Sequence, residues 1–281
     1  MKKCAIIRKH PHIGDFLMMT PAIRELSKEY IINLVVPKEF KEVFYNLYYV
    51  HEIFEIENIF DVKTKDYDRI FEVNDYEYNY EYLMQPLITK NRVELFCESM
   101  GIEKVNSKLD IILTKKEIEW AKNFLTQRGD INRKTIILAI KSTSESRDWN
   151  LNKWKLLINN LKKLKFNLVV VDKTVHWNDE EIFFFNNHSV RELFAITSIS
   201  DYIICNDSSL LHIGSALNKK TLGIFGPTDP RIRCIYDNSY EIHNNLNILP
   251  CWYNRDKEKD YFSSISVEDV ERKFIEIIQD G

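Results

Sequence analysis

The sequence has no apolar run approaching the 18 residues of a membrane-spanning helix, and the apolar segment of its amino terminus, MKKCAIIRKHPH, is far too short for a signal peptide. No GxGxxG follows the first apolar run, which disfavours a nicotinamide-dependent dehydrogenase. These absences predict a soluble, cytoplasmic protein without a transmembrane segment. CxxC spacing is also absent, so we expect buried, reduced thiols at the five cysteines, Cys4, Cys97, Cys205, Cys234 and Cys251.

An excess of charge of one sign is missing as well. The formal net charge of -3 at pH 7 gives no electrostatic argument for nucleic-acid binding. The most one-sided stretch, residues 52–81, holds ten acidic residues against three basic ones, and we expect most of it to be a solvated face. The single DxD, Asp66-Tyr67-Asp68, precedes a predicted strand instead of following one, so we interpret it as surface and predict no metal site.

The length of 281 residues exceeds the size at which one hydrophobic core usually stops growing, so two domains are expected. The apolar fraction of 44% and the aromatic fraction of 12% are typical of globular chains. A polar segment, residues 127–134, contains Gly129 and interrupts the pattern near the middle. We therefore predict domains at residues 1–130 and 131–281, with a carboxyl-terminal helix that could pack back on the first.

Apolar runs alternate with amphipathic stretches in both halves, which predicts α/β domains with parallel sheets. The Tyr-rich run Asp75 to Pro86 is expected to be the least regular part of the first half, and Glu181 to Phe185 a short, degraded segment. The predicted strands include Lys3 to Arg8, Ile32 to Val36, Leu109 to Leu113, Thr135 to Ile140, Phe166 to Val171, Tyr202 to Cys205 and Thr221 to Phe225. The predicted helices include Lys38 to Tyr48, Asn91 to Met100, Lys115 to Arg128 and Leu151 to Leu164.

The stretch from Asp201 to Pro230 predicts a strand, a helix and a second strand with two polar loops at one edge. Asp207-Ser208-Ser209 provides cap residues, His212 lies one turn further on, and Gly226-Pro227-Thr228 ends the second strand. A helix that starts at the carboxyl end of a parallel strand is a ready anion site. We interpret the stretch as a phosphate or diphosphate site, the alternative being an ordinary capped crossover helix.

Two further loops follow predicted strands. The first, KHPHIGD, leads from the first strand into a helix, with Asp15 near the helix start and Pro21 further on. Asp15 is either a functional carboxylate or a plain helix cap, and Pro21 would distort the helix or start a new one. The second loop, Lys141 to Trp149, lies at the same sheet edge as Asp207, where open α/β sheets bind their ligands.

Four motifs resemble one family of enzymes in their order and spacing. They are GDFLMMTP, KSTSESRDWNLNKW, SVREL, and NDSSLLHIGSAL followed by GIFGPTDP. The chain resembles the heptosyltransferases that use ADP-heptose in lipopolysaccharide synthesis, from near residue 3 to the Val267-Glu268-Asp269-Val270 tail. The resemblance implies a GT-B architecture, in which two Rossmann-like domains face each other across a cleft. The first would hold the acceptor and the second the nucleotide-sugar.

The resemblance also implies roles for single residues. Asp15 matches the family's catalytic carboxylate. The positions that match the donor's diphosphate, sugar and base contacts are Ser142, Thr143, Arg147, Asp207, Ser208, His212 and His188. The chain departs from the family's pattern at three places. Ser209, which we count with the donor site, stands where the family usually has Gly. The family's cysteine-bearing tail is reduced to Cys251, and the segment from Asp172 to Asn187 is too short to align the family's ribose contact.

The implied reaction is inverting, metal-independent sugar transfer from a nucleotide-diphosphate donor, ADP-heptose, without a further cofactor. Asp15 would act as the base, while Arg147 and the helix after Asp207 would stabilise the departing diphosphate. A nucleotide-sugar epimerase or hydrolase and a non-catalytic nucleotide-sugar binding protein are the alternatives. Residues 1–130 hold 19 basic and 22 acidic residues, which favours a neutral glycan or a protein hydroxyl as acceptor over phosphorylated lipid A core. The sequence does not decide whether the protein also contacts a membrane surface.

Overall fold

A computed structural model describes residues 2–57, 64–85, 87–103, 106–130, 132–172, 174–175, 177–244 and 260–280. The chain divides into two compact units, Met1–Thr114 and Lys115–Gly281. This division precedes the predicted linker at residues 127–134, because the helix Lys115–Thr126 packs with the second unit. Its Trp120 ring lies 6.3 Å from the Phe185 ring. The predicted domain of residues 1–130 therefore includes a helix that the contacts assign to the second unit.

The first unit is built on a sheet of four parallel strands: β1 (Lys2–Ile7), β2 (Tyr30–Val36), β3 (Val50–Glu55) and β4 (Arg69–Glu72). The strand order is β3-β2-β1-β4. Burial is continuous along the second half of β1 and most of β2, as expected for parallel strands that are covered on both faces. Because the chain winds from β1 to β3 and then returns to the other side of β1, the sheet has a switch point between β1 and β4.

Three helices accompany this sheet: α1 (Ile13–Leu26), α2 (Tyr76–Met84) and α3 (Arg92–Ser99). Pro21 lies inside α1, which runs through it without a new start. A proline cannot donate to the carbonyl four residues earlier, here that of Leu17. The Thr20 hydroxyl donates to this carbonyl instead (2.7 Å), which satisfies the acceptor that Pro21 leaves open.

Three predictions for the first unit were wrong. A 3₁₀ segment, Lys38–Phe44, replaces the helix predicted to reach Tyr48. The Tyr-rich run predicted to be irregular forms α2, because the side chains of Glu77 and Glu81, one turn apart, are buried against arginines. The segment from Leu109 to Leu113 is not a strand. Its backbone bonds side chains instead of a neighbouring strand, since the Asp110 N–H donates to Thr20 Oγ1 (3.0 Å).

The second unit contains a sheet of six parallel strands in the order β10-β9-β8-β5-β6-β7. The strands are β5 (Thr135–Ala139), β6 (Asn167–Val171), β7 (Ile182–Phe185), β8 (Tyr202–Asn206), β9 (Lys220–Phe225) and β10 (Ser239–His243). The segment predicted to be degraded is the edge strand β7. The chain winds outward from β5 to β7 and then returns to β8 beside β5, so a second switch point lies between β5 and β8.

The helices of the second unit are α4 (Lys115–Thr126), α5 (Leu151–Lys163), α6 (Val190–Ser198), α7 (Ser209–Ala216) and α8 (Val267–Gln279). Helix α6 begins with a cap, since Ser189 and Glu192 form a reciprocal capping box. The carboxyl-terminal helix α8 packs on α5 and β9 of its own unit, with the ring of Phe274 6.0 Å from that of Phe166. No helix within the described ranges is long and apolar enough to cross a membrane.

The thiols agree with the sequence prediction where they are described. Cys4, Cys97 and Cys205 are free and buried, and Cys234 is half-buried. Burial raises the pKa of the Cys4 and Cys97 thiols to about 11, so both are neutral at physiological pH. Cys251 lies outside the described residues.

Candidate active site

The switch point of the second sheet is held together by Asn206, the last residue of β8. Its Nδ2 donates to the Ile140 carbonyl (2.8 Å) and its Oδ1 accepts from the Trp149 N–H (3.2 Å). Asn206 is fully buried, so both bonds are shielded from water. One side chain thereby ties the end of β8 to both ends of the loop that follows β5.

The loop itself is braced from within. The carboxylate of Asp148 accepts from the Ser142 N–H (2.7 Å) and pairs with Lys141 Nζ (3.0 Å). The Ser142 hydroxyl donates to the Ser144 carbonyl (2.7 Å), so in this structure it serves the loop's own shape. Ser142 is predicted to contact a diphosphate. Its hydroxyl could donate to a phosphate oxygen only if its hydrogen bond to the Ser144 carbonyl broke.

Arg147 links the loop to the adjacent strand end. Its Nη2 donates to Thr143 Oγ1 (2.6 Å), and its Nη1 lies 3.4 Å from Asp207 Oδ2. Three residues that the sequence selected separately are thus brought together. The Arg147 side chain keeps 16% of its surface exposed, which leaves the guanidinium within reach of a ligand.

Asp207 is a buried, ionised carboxylate. Burial alone would raise its pKa, but the nearby charges of Arg147 and Arg233 outweigh burial and hold the pKa below its usual value. Thr228 Oγ1 donates to Asp207 Oδ2 (2.8 Å), which brings the Gly226-Pro227-Thr228 turn to this site as predicted. Sequence reasoning missed Arg233, whose position after the GPTDP motif gave no signal of its own.

Helix α7 begins next to Asp207. Ser208 is its N-cap, yet the Ser208 side chain accepts no hydrogen bond from the helix, so the predicted capping role is absent. Ser209 is the first helical residue. Gly214 lets the helix lie close to the sheet, since a Cβ at this position would lie only 2.2 Å from Thr221 Oγ1. The start of α7 directly follows Asp207, whose carboxylate contacts Arg147, so it lies at the same sheet edge as the Arg147 loop.

The two predicted histidines lie in different surroundings. His212, one turn into α7, is 5% exposed, and its Nδ1 lies 2.8 Å from the Tyr236 hydroxyl. His188 follows β7 and stacks on the Phe185 ring with centroids 3.8 Å apart. Strand β6 lies between β7 and β5, so these two strands are about 10 Å apart in the sheet. The structure does not bring His188 to the Arg147 cluster.

The switch point of the first sheet is filled by a buried charge network around Asp15. Helix α1 starts at Ile13 with His12 as its N-cap, so Asp15 lies in the first turn and is not a plain cap. Asp15 Oδ1 pairs with Arg92 Nη1 (2.6 Å), and Oδ2 pairs with Arg8 Nη2 (2.8 Å). Only 3% of Asp15 is exposed.

Helix α2 completes this network. Arg8 Nη2 also pairs with Glu77 Oε1 (2.8 Å), and Arg92 forms a two-pronged pair with Glu81 in which both contacts are 2.8 Å. The Tyr78 hydroxyl donates to Asp15 Oδ2 (3.3 Å). Sequence reasoning missed these partners, although an arginine at the end of an apolar strand and two glutamates one helical turn apart were visible signals.

The charges of the network determine its protonation. Burial would raise the pKa of Asp15, but Arg92 and Arg8 outweigh it and hold that pKa well below its usual range. For Glu77, burial dominates and raises the pKa above its usual value. Three carboxylates share two guanidinium groups, and at Glu77 the effect of burial outweighs that of the neighbouring cations.

The described residues contain no group of three or more His, Cys, Asp or Glu side chains placed to hold a metal ion. Within the DxD, Asp66 and Asp68 are exposed, and Asp68 Oδ2 accepts from the Lys3 N–H (2.8 Å) at the start of β1. This agrees with the interpretation of the DxD as surface.

Known proteins resemble the chain in both sequence pattern and fold. The model of glycosyltransferase family 9 (heptosyltransferase) matches residues 67–262, more than half of the chain. No curated protein sequence matches it.

Solved structures resemble it over nearly their whole lengths. A family 9 glycosyl transferase from Veillonella parvula gives a TM-score of 0.79 at 15% identity, covering 100% of this chain and 98% of its own. The ADP-heptose lps heptosyltransferase II of E. coli gives 0.76 at 14% identity, with coverages of 100% and 99%. An E. coli heptosyltransferase with ADP-2-deoxy-2-fluoro heptose gives 0.62 at 16% identity, with coverages of 97% and 99%.

At these identities the solved structures establish the fold, which is that of GT-B-like glycosyltransferases, and the family model establishes the class of enzyme. The chain is a glycosyltransferase that belongs to glycosyltransferase family 9, the heptosyltransferase family.

Proposed function

We propose that the protein transfers a sugar, with inversion and without a metal ion, from a nucleoside-diphosphate donor to an acceptor hydroxyl. The observation that carries this proposal is the switch point of the second sheet, where Arg147, Thr143 and the start of α7 meet. A guanidinium, a hydroxyl and free backbone N–H groups are donors that suit a diphosphate. They would also stabilise the charge that develops on the leaving group.

The buried carboxylate of Asp207 would serve the sugar. An ionised carboxylate accepts hydrogen bonds from sugar hydroxyls but repels phosphate oxygens. Because Asp207 lies 3.4 Å from Arg147, sugar and diphosphate would occupy neighbouring positions. Ser208, Ser209 and His212 would add contacts along α7, and Ser142 would contribute through its loop.

The base of the nucleotide would lie toward His188. The separation of about 10 Å between β5 and β7 suits the span from a diphosphate to a base across the ribose. Trp120 and Phe124 surround His188 with aromatic edges, at centroid distances of 6.1 and 5.7 Å. ADP-heptose is the proposed donor, supported by the family and by the similar E. coli enzyme solved with an ADP-heptose analogue. No further cofactor is proposed.

The first unit would hold the acceptor, with Asp15 as the catalytic carboxylate at its switch point. Its lowered pKa keeps Asp15 negative at every physiological pH, the form that the reaction needs. The slight excess of acidic residues in residues 1–130 favours an uncharged acceptor such as a neutral glycan or a protein hydroxyl.

The test is a transfer assay with ADP-, GDP-, UDP- and dTDP-sugars, in which nucleotide release is measured with and without acceptor glycans. Acceptor-dependent release of ADP with an inverted anomeric product supports the proposal. Release of free sugar without acceptor would identify a hydrolase, and tight binding without release would identify a binding protein. Activity should survive EDTA, and a loss that Mg²⁺ restores would contradict the metal-free mechanism.

A further inference from the structure

The charge network around Asp15 holds more negative than positive charge. Its anions are the carboxylates of Asp15, Glu77 and Glu81, and its cations are the guanidinium groups of Arg8 and Arg92. None of these five side chains is more than 9% exposed. With every carboxylate ionised, one negative charge has no cation of its own in a site that is nearly dry. This excess charge is costly, and the uptake of one proton would remove it.

Glu77 shares its cation with Asp15. Glu77 Oε1 and Asp15 Oδ2 both pair with Nη2 of Arg8, each at 2.8 Å. The other oxygen, Glu77 Oε2, is buried and has no hydrogen-bond partner among the described residues. Asp15 is held by Arg8 and by Arg92, one at each oxygen. Glu77 therefore carries a buried charge that is compensated at one oxygen only.

This placement of Glu77 affects the basicity of Asp15. Two oxygens that bind the same nitrogen lie within about 6 Å of each other, a range in which one negative charge raises the pKa of another carboxyl group. Burial is the main cause of the raised pKa of Glu77, and the charge of Asp15 adds to it. Because this repulsion is mutual, the charge of Glu77 favours protonation of Asp15 in turn. Burial acts on the pKa of Asp15 in the same direction, against the stronger effect of Arg92 and Arg8.

The titratable groups that face Asp15 and Glu77 come from every element of this edge. They are Arg8 at the end of β1, His12 at the start of α1, Tyr78 and Glu81 on α2, and Arg92 on α3. Burial raises the pKa of Tyr78, so its hydroxyl stays neutral. A comparison of variants at Glu77 leaves all these groups in place, so their own titration affects every variant alike.

We propose that Glu77 acts through Asp15: its buried charge makes Asp15 a stronger base, and the network takes up the proton of the acceptor hydroxyl. This inference rests on the proposed function and deepens it. The acceptor O–H bond breaks and its proton moves to a carboxylate oxygen of Asp15, which leaves the network neutral. The acceptor oxygen bonds the anomeric carbon, and the bond from that carbon to the diphosphate oxygen breaks with its electron pair on the leaving nucleoside diphosphate. Asp15 then returns the proton to water.

The experiment separates the charge of Glu77 from its shape, with ADP-heptose as donor at pH 8. Glu77→Gln keeps the shape and the oxygen that Arg8 contacts but removes the charge, whereas Glu77→Asp keeps the charge and shortens the side chain. We expect Glu77→Gln to lower kcat by about 3- to 30-fold, with donor affinity unchanged and no fall in Tm, because Asp15 becomes a weaker base. Glu77→Asp should retain more of the wild-type kcat than Glu77→Gln. The control Glu52→Gln, at an exposed position of β3, should change nothing.

The pH dependence of kcat provides a readout that a purely structural role would not change. The folded-state pKa of Glu77 lies above the ordinary value of 4.5. As the pH falls through that pKa, the wild type takes up a proton at Glu77 and loses the charge that Glu77→Gln lacks throughout. The ratio of the two kcat values should therefore shrink toward one as the pH is lowered from 8. A ratio that stays constant would show that the charge of Glu77 does not act on Asp15.

A measurement without substrate tests the premise. Since the pKa of Glu77 is raised in the folded state, its contribution to stability is largest below the unfolded pKa and is lost as the pH rises through the folded pKa. The free energy of unfolding of the wild type, relative to that of Glu77→Gln, should therefore decrease over this rise in pH. A difference that does not depend on pH would contradict an unfavourable buried charge at Glu77.

The outcomes separate this inference from the proposed function. If the wild type transfers sugar and Glu77→Gln keeps its kcat at pH 8, or Glu77→Asp loses as much as Glu77→Gln, the role of Glu77 is overturned while the proposed function stands. If the wild type neither binds nor turns over any nucleotide-sugar, the proposed function fails and the role of Glu77 fails with it. If Glu77→Gln lowers Tm, the pH dependence of the kcat ratio decides.

Discussion

Both sheets have a switch point at their carboxyl edge, but the two edges carry different chemistry. At the first, between β1 and β4, two buried arginines form ion pairs with Asp15, Glu77 and Glu81. At the second, between β5 and β8, Arg147 donates to Thr143 and pairs with Asp207 beside the start of α7. The Arg8 side chain is fully buried, whereas that of Arg147 is 16% exposed.

The difference shows that the strand order places a switch point in each sheet, whereas the side chains at that edge determine its chemistry. Charges that are neutralised by neighbours in a dry interior fix geometry and hold protonation states. Charges left partly exposed beside backbone N–H groups are available to an anion. The first edge, around Asp15, is therefore a closed edge of buried, paired charges, and the second, around Arg147, is an open edge with a partly exposed guanidinium.

The largest expected effect is a loss of stability when an arginine of the closed edge is replaced. Arg92→Met should lower the free energy of unfolding by about 3 to 5 kcal/mol, because Asp15 and Glu81 lose a shared cation in a buried site. Urea denaturation measures this change. The control is Arg69→Met at an exposed position of β4, where a change within about 0.5 kcal/mol is expected. Equal stabilities of the two variants would show that the network contributes nothing.

A somewhat smaller effect should follow at the open edge from Asn206→Ala. The Ile140 carbonyl and the Trp149 N–H would lose their partner, and two unsatisfied buried groups cost about 2 to 4 kcal/mol together. The loop that carries Arg147 would loosen, so affinity for nucleoside diphosphate should fall as well. Asn152→Ala, at an exposed position of α5, should change neither quantity. Unchanged nucleotide affinity in Asn206→Ala would separate the loop from the binding site.

The smallest expected effect is on the stability of the fold at acidic pH. The folded-state pKa of Asp207 lies below its unfolded value, so its contribution to stability is present at neutral pH and is lost as the pH falls from about 4 through the folded pKa. Asp207→Asn should therefore flatten the loss of stability below pH 4, whereas Asp237→Asn, at an exposed site, should not. Parallel acid profiles for the wild type and Asp207→Asn would contradict an ionised, charge-paired Asp207.

The sequence predicted the open edge better than the closed one. The strand, helix and strand around Asp207, and the loop that carries Arg147, are close in sequence to the strands that position them, so alternation and cap residues suffice to locate them. The order of the strands then joins the two loops at one switch point. The family resemblance supplied the same residues from an independent direction.

The closed edge depends on partners that are distant in sequence. Arg8 and Glu77 are 69 positions apart, and Asp15 and Arg92 are 77 apart, so no local pattern connects them. The Tyr-rich run of α2 has a weak apolar period because its buried face is carried by glutamates. Helix α4 lies near the predicted linker, and only its tertiary contacts assign it to the second unit.

The most direct test of the central claim is calorimetric titration of ADP, GDP, UDP and dTDP into the wild type, Arg147→Ala and Arg272→Ala. Arg272 lies on α8 with a side chain that is 69% exposed, so it controls for the loss of one positive charge. The account predicts that the wild type and Arg272→Ala bind ADP equally. Arg147→Ala should bind it about 10- to 150-fold more weakly, because a charge-assisted hydrogen bond is lost. Equal ADP affinity in Arg147→Ala, or no affinity of the wild type for any of the four nucleotides, would contradict a diphosphate site at this edge.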